Sequence, residues 1–178
     1  MLEIDQSGFL KGGRFIPSPN FDERPPEGPV TLLVIHNISL PPREYGGEGV
    51  IEFFTNRLDP KAHEYYRMIA DLKVSTHFFI RRDGEIIQFV SCNLRAWHAG
   101  VSNWKNRERC NDFSIGIELE GSDFDAYSDV QYVKLAELTQ ALTRAYLLED
   151  VVGHQLIAPD RKTDPGPFFE WERYRALI

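Results

Sequence analysis

A short segment near the C-terminus, residues 153–166, concentrates side chains that can bind metal ions or transfer protons. Its sequence, GHQLIAPDRKTDPG, holds a histidine, two aspartates, an arginine and a lysine among two prolines and two glycines. It has neither helical nor strand periodicity, which predicts a loop, and loops on a rigid scaffold often carry functional groups. His154 and Asp164 are therefore candidate metal ligands and Lys162 is a candidate cation. A solvated surface loop explains the same composition equally well.

Two strand-like segments offer the third ligand and the carboxylate that hydrolytic chemistry would need. The run PVTLLVIHN at residues 29–37 is continuously apolar and predicts a central strand that ends at His36. Ligands bind at strand ends in open α/β sheets, although His36 can equally be a core histidine bonded to backbone. The run FSIGIELEG at residues 113–121 alternates and places Glu118 on the same strand face as Gly116. An exposed polar face is the alternative for that strand.

Together these five residues can form one zinc hydrolase site. Catalytic zinc takes three protein ligands and leaves a position open for water, whose pKa it lowers to about 7. His36, His154 and Asp164 could supply two nitrogens and one oxygen. Glu118 could move a proton from water to the leaving amine, and Lys162 could stabilise a tetrahedral oxyanion.

Three further histidines compete for these roles. His63 lies in a segment without clear periodicity and is interpreted as a surface residue. His77 lies inside a predicted strand, where a buried histidine with satisfied hydrogen bonds is the simpler explanation. His98 lies in an aromatic loop at residues 93–104 that suits a groove for sugar faces and plain packing about equally. We leave His77 and His98 outside the set of metal ligands.

The other predicted elements frame these candidates. Asp83-Gly84 is a strong turn signal between two β-rich runs, and Ser128 with Gln131 forms a capping box at the start of a helix. We expect Val133, Ala136, Leu138 and Leu142 on the apolar side of that helix. In chain order, these elements are an irregular N-terminal arm over about residues 1–30, a helix over 50–58, a hairpin over 75–90, a helix from Ser128 to about Leu148, and a terminal helix over 169–177.

Composition excludes several classes of protein. A chain of 178 residues fits one domain, and its net charge of −7 argues against nucleic-acid and anionic-membrane partners. No apolar run approaches the roughly 18–20 residues of a membrane span. The N-terminal sequence lacks the pattern of a signal peptide, so we expect a cytoplasmic protein. We also expect a monomer. Cys92 and Cys110 are expected to be free thiols.

Five segments in combination resemble the N-acetylmuramoyl-L-alanine amidase type 2 family. They are VIHN, STHFFIRRDGEIIQFV, RAWHAG, ERCNDFSIGIELEG and GHQLIAPDRKTDPG, and the arm sequence FIPSPNFDERP extends the resemblance over almost the whole chain. It implies an α/β fold of a single domain over 1–178, with a central mixed sheet flanked by helices. The implied activity is zinc-dependent cleavage between the lactyl group of (1,6-anhydro-)N-acetylmuramic acid and L-alanine of muropeptides, in cell-wall recycling.

The resemblance also assigns roles to individual residues. It implies zinc ligands at His36, His154 and Asp164, a catalytic acid-base at Glu118 and a transition-state lysine at Lys162. The positions that match substrate contacts of the family are Asn37, Trp97, Arg109 and Ala158 for sugar and peptide, Lys73 for the peptide carboxylate, and Tyr65 in a mobile loop. At residue 73 a family member has arginine, and lysine lacks the planar fork that binds a carboxylate through two hydrogen bonds.

Three other functions stay open as alternatives. A binding module of the same fold would have lost a ligand or the acidic residue, whereas this chain retains them. A non-haem iron oxygenase also uses two histidines and a carboxylate, but the carboxylate usually lies near the first histidine in the sequence. A lytic amidase, either autolysin or endolysin, would act on intact peptidoglycan instead of soluble muropeptides.

Overall fold

The computed structural model describes residues 1–26 and 28–178. Its strands in chain order are β1 (Arg14–Phe15), β2 (Phe21–Asp22), β3 (Leu32–Ile38), β4 (Phe78–Ile80), β5 (Ile86–Gln88), β6 (Arg95–Ala96), β7 (Asn103–Trp104), β8 (Arg107–Glu108), β9 (Ser114–Glu120) and β10 (Asp150–Gly153). Its helices are α1 (Gly49–Phe54), α2 (Glu64–Ile69), α3 (Asp129–Ala145), α4 (His154–Ile157) and α5 (Trp171–Arg175), with one 3-10 turn at Cys110–Asp112.

One mixed sheet of six strands organises the chain, in the order β1-β5-β4-β9-β3-β10. The strands β4, β9, β3 and β10 run parallel to one another, and β4 and β5 form an antiparallel hairpin. Gly84 in the hairpin turn has φ of +88°, which glycine adopts without steric cost. The single-domain α/β architecture with a mixed sheet and flanking helices confirms the predicted fold class.

The two faces of the sheet are covered by different layers. On one face, Leu33, Ile35 and Ile117 pack against α3 through side chains such as Leu135 and Leu138. On the other face, α1 and α2 cover the β4–β5 end of the sheet. Because side chains alternate along a strand, His36 and Glu118 lie on this second face. All seven residues of β9 are buried, so the alternative of an exposed polar face is wrong.

Helix α3 begins as predicted and ends earlier. Ser128 and Gln131 make the reciprocal bonds of a capping box, and the helix stops at Ala145 instead of Leu148. Val133, expected on the apolar side, is 44% exposed. Ala136, Leu138 and Leu142 are buried as expected. Leu135 joins Leu138 and Leu142 in the buried stripe, at the i, i+3, i+7 spacing of one helix face.

The first two helices differ from expectation for local reasons. Helix α1 ends at Phe54, not at residue 58, because Asn56 takes a left-handed conformation with φ of +58°. Helix α2 was not predicted. It begins at Glu64, and His63 is its N-cap, whose Nδ1 accepts a hydrogen bond from the Tyr65 backbone N–H at 3.0 Å.

Regular structure also forms in two places where little was expected. The arm over residues 1–30 contains the short strands β1 and β2, which pair with β5 and β6. The segment 153–166, predicted as a loop, opens with the single helical turn α4. The terminal helix is confined to Trp171–Arg175, within the predicted range 169–177.

Two further expectations concern the cysteines and the membrane. Cys92 and Cys110 are both free and buried, as predicted. Within residues 1–26 and 28–178, none of the helices has the length and apolar character needed to cross a membrane.

Candidate active site

Two histidines and one aspartate converge at one edge of the second sheet face. The Nδ1 atom of His36 lies 2.9 Å from Nδ1 of His154 and 3.1 Å from Oδ2 of Asp164. His154 Nδ1 lies 3.0 Å from the same Oδ2. Both histidines are buried and the aspartate is partly buried. The three residues can therefore offer one ligand atom each to a single metal ion.

Parallel strand pairing brings these residues together from opposite ends of the chain. Gly153, the last residue of β10, is in register with Ile35 of β3. His154 therefore follows the sheet edge beside His36, which is the next residue of β3. The backbone N–H of Gln155 donates to the carbonyl of Asp164 at 3.0 Å, which folds the end of the segment back over α4 and places the aspartate against both histidines.

The protonation pattern of His154 points its Nδ1 lone pair into the cluster. Its Nε2 lies 3.0 Å from the carbonyl oxygen of Ala99, and a carbonyl can only accept, so Nε2 carries the proton. A neutral imidazole then has an unprotonated Nδ1. The lone pair of His154 Nδ1 therefore faces Nδ1 of His36 at 2.9 Å and Oδ2 of Asp164 at 3.0 Å. Lone pairs this close repel one another unless a proton or a cation lies between them. The donor chemistry of the cluster therefore fits a metal ion.

The charges of the cluster favour the forms that bind metals. Burial, with the nearby His154, lowers the pKa of His36 to about 4. Burial opposes ionisation of Asp164, but hydrogen bonds with His154 and His36 outweigh it and hold the pKa of that carboxyl below its usual value. At neutral pH the cluster thus presents an uncharged imidazole at His36 and a carboxylate, which are the protonation states that metal binding requires.

Glu118 lies on the strand next to His36. The two residues are paired in the β3–β9 register, so both side chains point to the same face of the sheet. Glu118 is 8% exposed and its Oε2 is buried without a hydrogen-bond partner among the described residues. Burial, and to a lesser extent the charge of Asp164, raises the pKa of Glu118 well above its usual value, against the opposing charge of Lys162.

A cavity of about 460 Å³ joins these groups. Glu118, Lys162 and the metal-binding cluster share its wall, and the cavity has an apolar side formed by residues such as Phe53 and Ile69. Three of the predicted substrate contacts, Asn37, Tyr65 and Trp97, also line it.

Hydrogen bonds restrict what two of these lining residues can offer a ligand. The amide of Asn37 donates to Asp123 at 2.8 Å and to the Pro165 carbonyl at 3.1 Å, which leaves its side-chain oxygen as the group able to accept a further bond. Trp97 donates from its indole N–H to Asp22 at 3.2 Å. Trp97 therefore presents its ring to the cavity while its polar edge is already bonded.

The other three predicted substrate contacts lie elsewhere. Lys73 is exposed and does not line the cavity. Arg109 and Ala158 line a second cavity of about 690 Å³, together with Arg161. Arg109 adopts a left-handed conformation with φ of +60°, and its guanidinium forms a 3.1 Å ion pair with Asp112 while remaining 69% exposed. The structure thus brings the metal and catalytic candidates together but separates these three from them.

His98, which the sequence analysis placed in a groove-like loop but outside the set of metal ligands, contacts His36. Its Nδ1 lies 2.9 Å from Nε2 of His36, on the side of that ring away from the cluster. The ring occupies the space above Gly116, where an added Cβ would lie 2.5 Å from His98 Cγ. Two features of the sequence could have indicated this contact. His98 lies in the segment RAWHAG, and Gly116, two residues before Glu118, lacks a side chain and so leaves room for a neighbouring ring.

Comparison with known proteins identifies the family of the chain. The family model for N-acetylmuramoyl-L-alanine amidase matches residues 26–167. The chain therefore belongs to the N-acetylmuramoyl-L-alanine amidase family.

Within that family the similarity to AmpD is extensive. The chain is 56% identical over 175 residues to the 1,6-anhydro-N-acetylmuramyl-L-alanine amidase AmpD of Escherichia coli K12, covering 97% of this chain and 96% of the relative. A crystal structure of a selenomethionine derivative of AmpD superposes with a TM-score of 0.96 at 55% identity, covering 100% and 99% of the two chains.

A more distant structure contains a ligand. The amidase AmiD of E. coli, in complex with anhydro-N-acetylmuramic acid-L-Ala-D-γ-Glu-L-Lys, aligns with a TM-score of 0.62 at 25% identity. The alignment covers 99% of this chain and 65% of AmiD.

Proposed function

We propose that this chain hydrolyses the amide bond between the lactyl group of 1,6-anhydro-N-acetylmuramic acid and L-alanine in muropeptides, as a zinc enzyme of cell-wall recycling. The observation that carries the proposal is the convergence of three metal-binding atoms beside a buried carboxylate in one cavity. The 56% identity to an amidase of this substrate class over nearly the full chain supports the choice of bond and substrate.

Zinc is the metal that the donor set and the reaction favour. Two imidazole nitrogens and one carboxylate oxygen from His36, His154 and Asp164 make a three-ligand site, and catalytic zinc sites have three protein ligands and one open position. The lone pairs directed into the cluster by the His154 tautomer support the presence of a cation. Zinc bound there would polarise the scissile carbonyl and lower the pKa of water to about 7.

Glu118 acts as the general acid-base in this proposal. Its Oε2, which forms no hydrogen bond with the part of the chain that the structure describes, can accept the proton of the attacking water. The same carboxyl then donates that proton to the departing alanine nitrogen. A base works best when its pKa lies near the operating pH, and burial moves the pKa of Glu118 in that direction. Glu118 is paired with His36 in the β3–β9 register. Its carboxylate therefore lies on the same face of the sheet as the metal ligand, where the water proton would be released.

Lys162 supplies the positive charge for the oxyanion. Its ammonium shares the cavity wall with Glu118 and the metal-binding cluster, and it is half-buried. A charge directed at the carbonyl oxygen stabilises the tetrahedral intermediate more than the planar substrate, because negative charge develops there only as water adds.

The predicted substrate contacts divide into an inner and an outer set. Asn37, Tyr65 and Trp97 line the cavity, and we propose that the Trp97 ring and the apolar side of the cavity hold the sugar and lactyl carbons. Arg109 and Ala158 line the second cavity, and Lys73 lies at the surface. We propose that these three contact the outer parts of the muropeptide, with Lys73 at the peptide carboxylate.

The metal assignment is tested by elemental analysis of the purified protein. We expect about one zinc per chain, and we expect His154→Ala to lose it while the fold, measured by circular dichroism, is retained. Tightly bound iron with little zinc would instead favour the oxygenase alternative. Zinc retained undiminished in His154→Ala would exclude this ligand set.

The substrate assignment is tested by mass analysis of products from three substrates. Purified 1,6-anhydro-muropeptide, the matching reducing-end muropeptide and intact sacculi are each incubated with enzyme, and Glu118→Gln serves as the isosteric control against contaminating amidases. We expect the anhydro-muropeptide to be cleaved fastest, with release of the free peptide. Equal rates on both muropeptides, or preferential solubilisation of sacculi, would favour the lytic alternative.

We further propose that the protein acts in the cytoplasm as a monomer, where soluble muropeptides would reach it. Light scattering coupled to gel filtration should give the mass of one 20.5 kDa chain. Cell fractionation should recover the protein with cytoplasmic markers, and recovery in the periplasmic fraction would contradict the proposed compartment.

A further inference from the structure

We propose that His98 is a positioning residue that accepts a hydrogen bond from Nε2 of His36 and so keeps the His36 Nδ1 lone pair directed at the metal. The inference rests on the proposed zinc site, and it adds an assignment for a residue that neither binds the metal nor donates a catalytic proton.

The contacts of His98 form a chain that leads away from the cluster. His98 Nδ1 lies 2.9 Å from His36 Nε2, and His98 Nε2 lies 3.2 Å from Oγ of Ser114. The His36 and His98 rings meet edge to face, with centroids 5.0 Å apart. Ser114, His98 and His36 thus connect the interior of β9 to the metal-binding edge of β3.

The row of hydrogen bonds from Ser114 through His98 to His36 allows two arrangements of protons, and only one is compatible with a bound metal. In the first arrangement, His36 Nε2–H donates to His98 Nδ1, His98 Nε2–H donates to the Ser114 hydroxyl, and His36 Nδ1 is a lone pair. In the second, every donor is reversed, and a proton sits on His36 Nδ1 within 3.1 Å of Asp164. That proton occupies the place of the cation. A metal-loaded cluster therefore needs an acceptor at the position of His98 Nδ1.

The surroundings hold His98 in the orientation that this role requires. Both backbone N–H groups of His98 and Ala99 donate to the side-chain oxygen of Asn111, at 3.1 and 2.8 Å. The ring packs over Gly116, whose missing side chain leaves the space that the ring fills. Its orientation is thus determined by the loop on one side and by β9 on the other.

A matched pair of substitutions separates this role from packing. Asparagine and leucine have nearly the same shape, but in His98→Asn the side-chain oxygen can take the place of Nδ1 as an acceptor, and His98→Leu has none. Zinc affinity of the metal-free proteins is measured by competition with a chromophoric chelator. Thr139→Val serves as a control, because it removes a buried hydroxyl bonded to Tyr174 at 2.8 Å, on α3 and away from the cavity.

We expect His98→Leu to bind zinc about 10- to 100-fold more weakly than wild type, while His98→Asn and Thr139→Val remain close to wild type. Thermal unfolding of the metal-free proteins shows whether all three fold. In the zinc-loaded wild type, long-range ¹H–¹⁵N spectra should show His36 and His98 each protonated on Nε2.

Four results would overturn the inference. Wild-type affinity in His98→Leu, or equal losses in His98→Asn and His98→Leu, would show that the acceptor has no role. A proton on His98 Nδ1 in the zinc-loaded protein would reverse the assigned hydrogen bond. If the wild type itself bound no zinc, the proposed metal site and the role of His98 would fail together, whereas the first three results leave the metal site intact.

Discussion

Replacement of Glu118 by glutamine should make the protein more stable and nearly inactive at the same time. Glutamine keeps the shape of the side chain and removes its charge. As a general base, Glu118 should contribute about 10²- to 10⁴-fold to kcat. The stability change has a different origin. The carboxyl is buried, its Oε2 has no hydrogen-bond partner among residues 1–26 and 28–178, and the charge of Asp164 acts on it.

The magnitude of the stability change depends on pH in a defined direction. Burial raises the folded-state pKa of Glu118 well above the ordinary value of 4.5. At every pH between 4.5 and that raised pKa, the folded chain binds more protons than the unfolded chain. The free energy of unfolding of the wild type therefore falls as pH rises through that window, by up to about 1.4 kcal/mol per pH unit. Glu118→Gln cannot titrate there, and its stability advantage should grow from pH 4.5 upward until the folded pKa is passed.

The measurement is urea denaturation of both metal-free proteins, in a chelator, at one-unit steps from pH 4.5 to 8.5. The quantity compared is the difference in the free energy of unfolding at each pH, because the contributions of all other groups cancel in it. Parallel stability curves, or a variant that is less stable at high pH, would refute the argument that Glu118 is buried at a cost. A normal kcat in the variant would require a different base.

Three further predictions concern neighbouring residues. Lys162→Met should lower kcat by about 10²- to 10³-fold with little change in KM, measured by steady-state kinetics on anhydro-muropeptide. Gly116→Ala should lower the free energy of unfolding by about 1–3 kcal/mol, measured by urea denaturation, because its Cβ would lie 2.5 Å from His98 Cγ. In metal-free Glu118→Gln, stability should fall as pH decreases below 6.5, by about 1.4 kcal/mol per pH unit for His77 alone, since burial lowers the pKa of His77 to about 3.

Each of these predictions has a control and a contradicting result. Lys162→Arg retains the charge and should keep more activity than Lys162→Met, and equal losses would argue for a packing role. Gly47 has nothing closer than 4.0 Å to an added Cβ, so Gly47→Ala should be neutral where Gly116→Ala is not. A flat stability profile between pH 6.5 and 4.5 in Glu118→Gln would mean that the buried histidines accept protons in the folded state.

The local sequence signals were reliable where one element determines its own structure. The apolar run at residues 29–37 predicted β3, because continuous burial leaves a continuous apolar pattern. The predicted end at His36 was wrong, since β3 continues to Ile38. The capping box predicted the start of α3 because its bonds connect residues three positions apart. The end of α1 was predicted wrongly because the helix stops where Asn56 takes a left-handed backbone conformation. Asparagine can adopt this conformation but often does not, so the sequence alone does not indicate it.

The chemical identities of the site were contained in the sequence, since the residue types and their family-like segments named His36, His154, Asp164, Glu118 and Lys162 as candidates. The sequence did not contain the distances between these residues. His36 and His154 are 118 residues apart and are brought together by the β3–β10 pairing. Strand pairing of this kind depends on contacts between distant segments, which periodicity within a window cannot express.

The role of His98 depended on the tertiary structure alone. Its hydrogen bond to His36 spans 62 residues, and the space for its ring exists because Gly116 on another strand lacks a side chain. The separation of Lys73, Arg109 and Ala158 from the main cavity was likewise absent from the sequence. Residue types determine which reactions a chain can perform, whereas the distances between those residues follow from how the sheet and its loops pack.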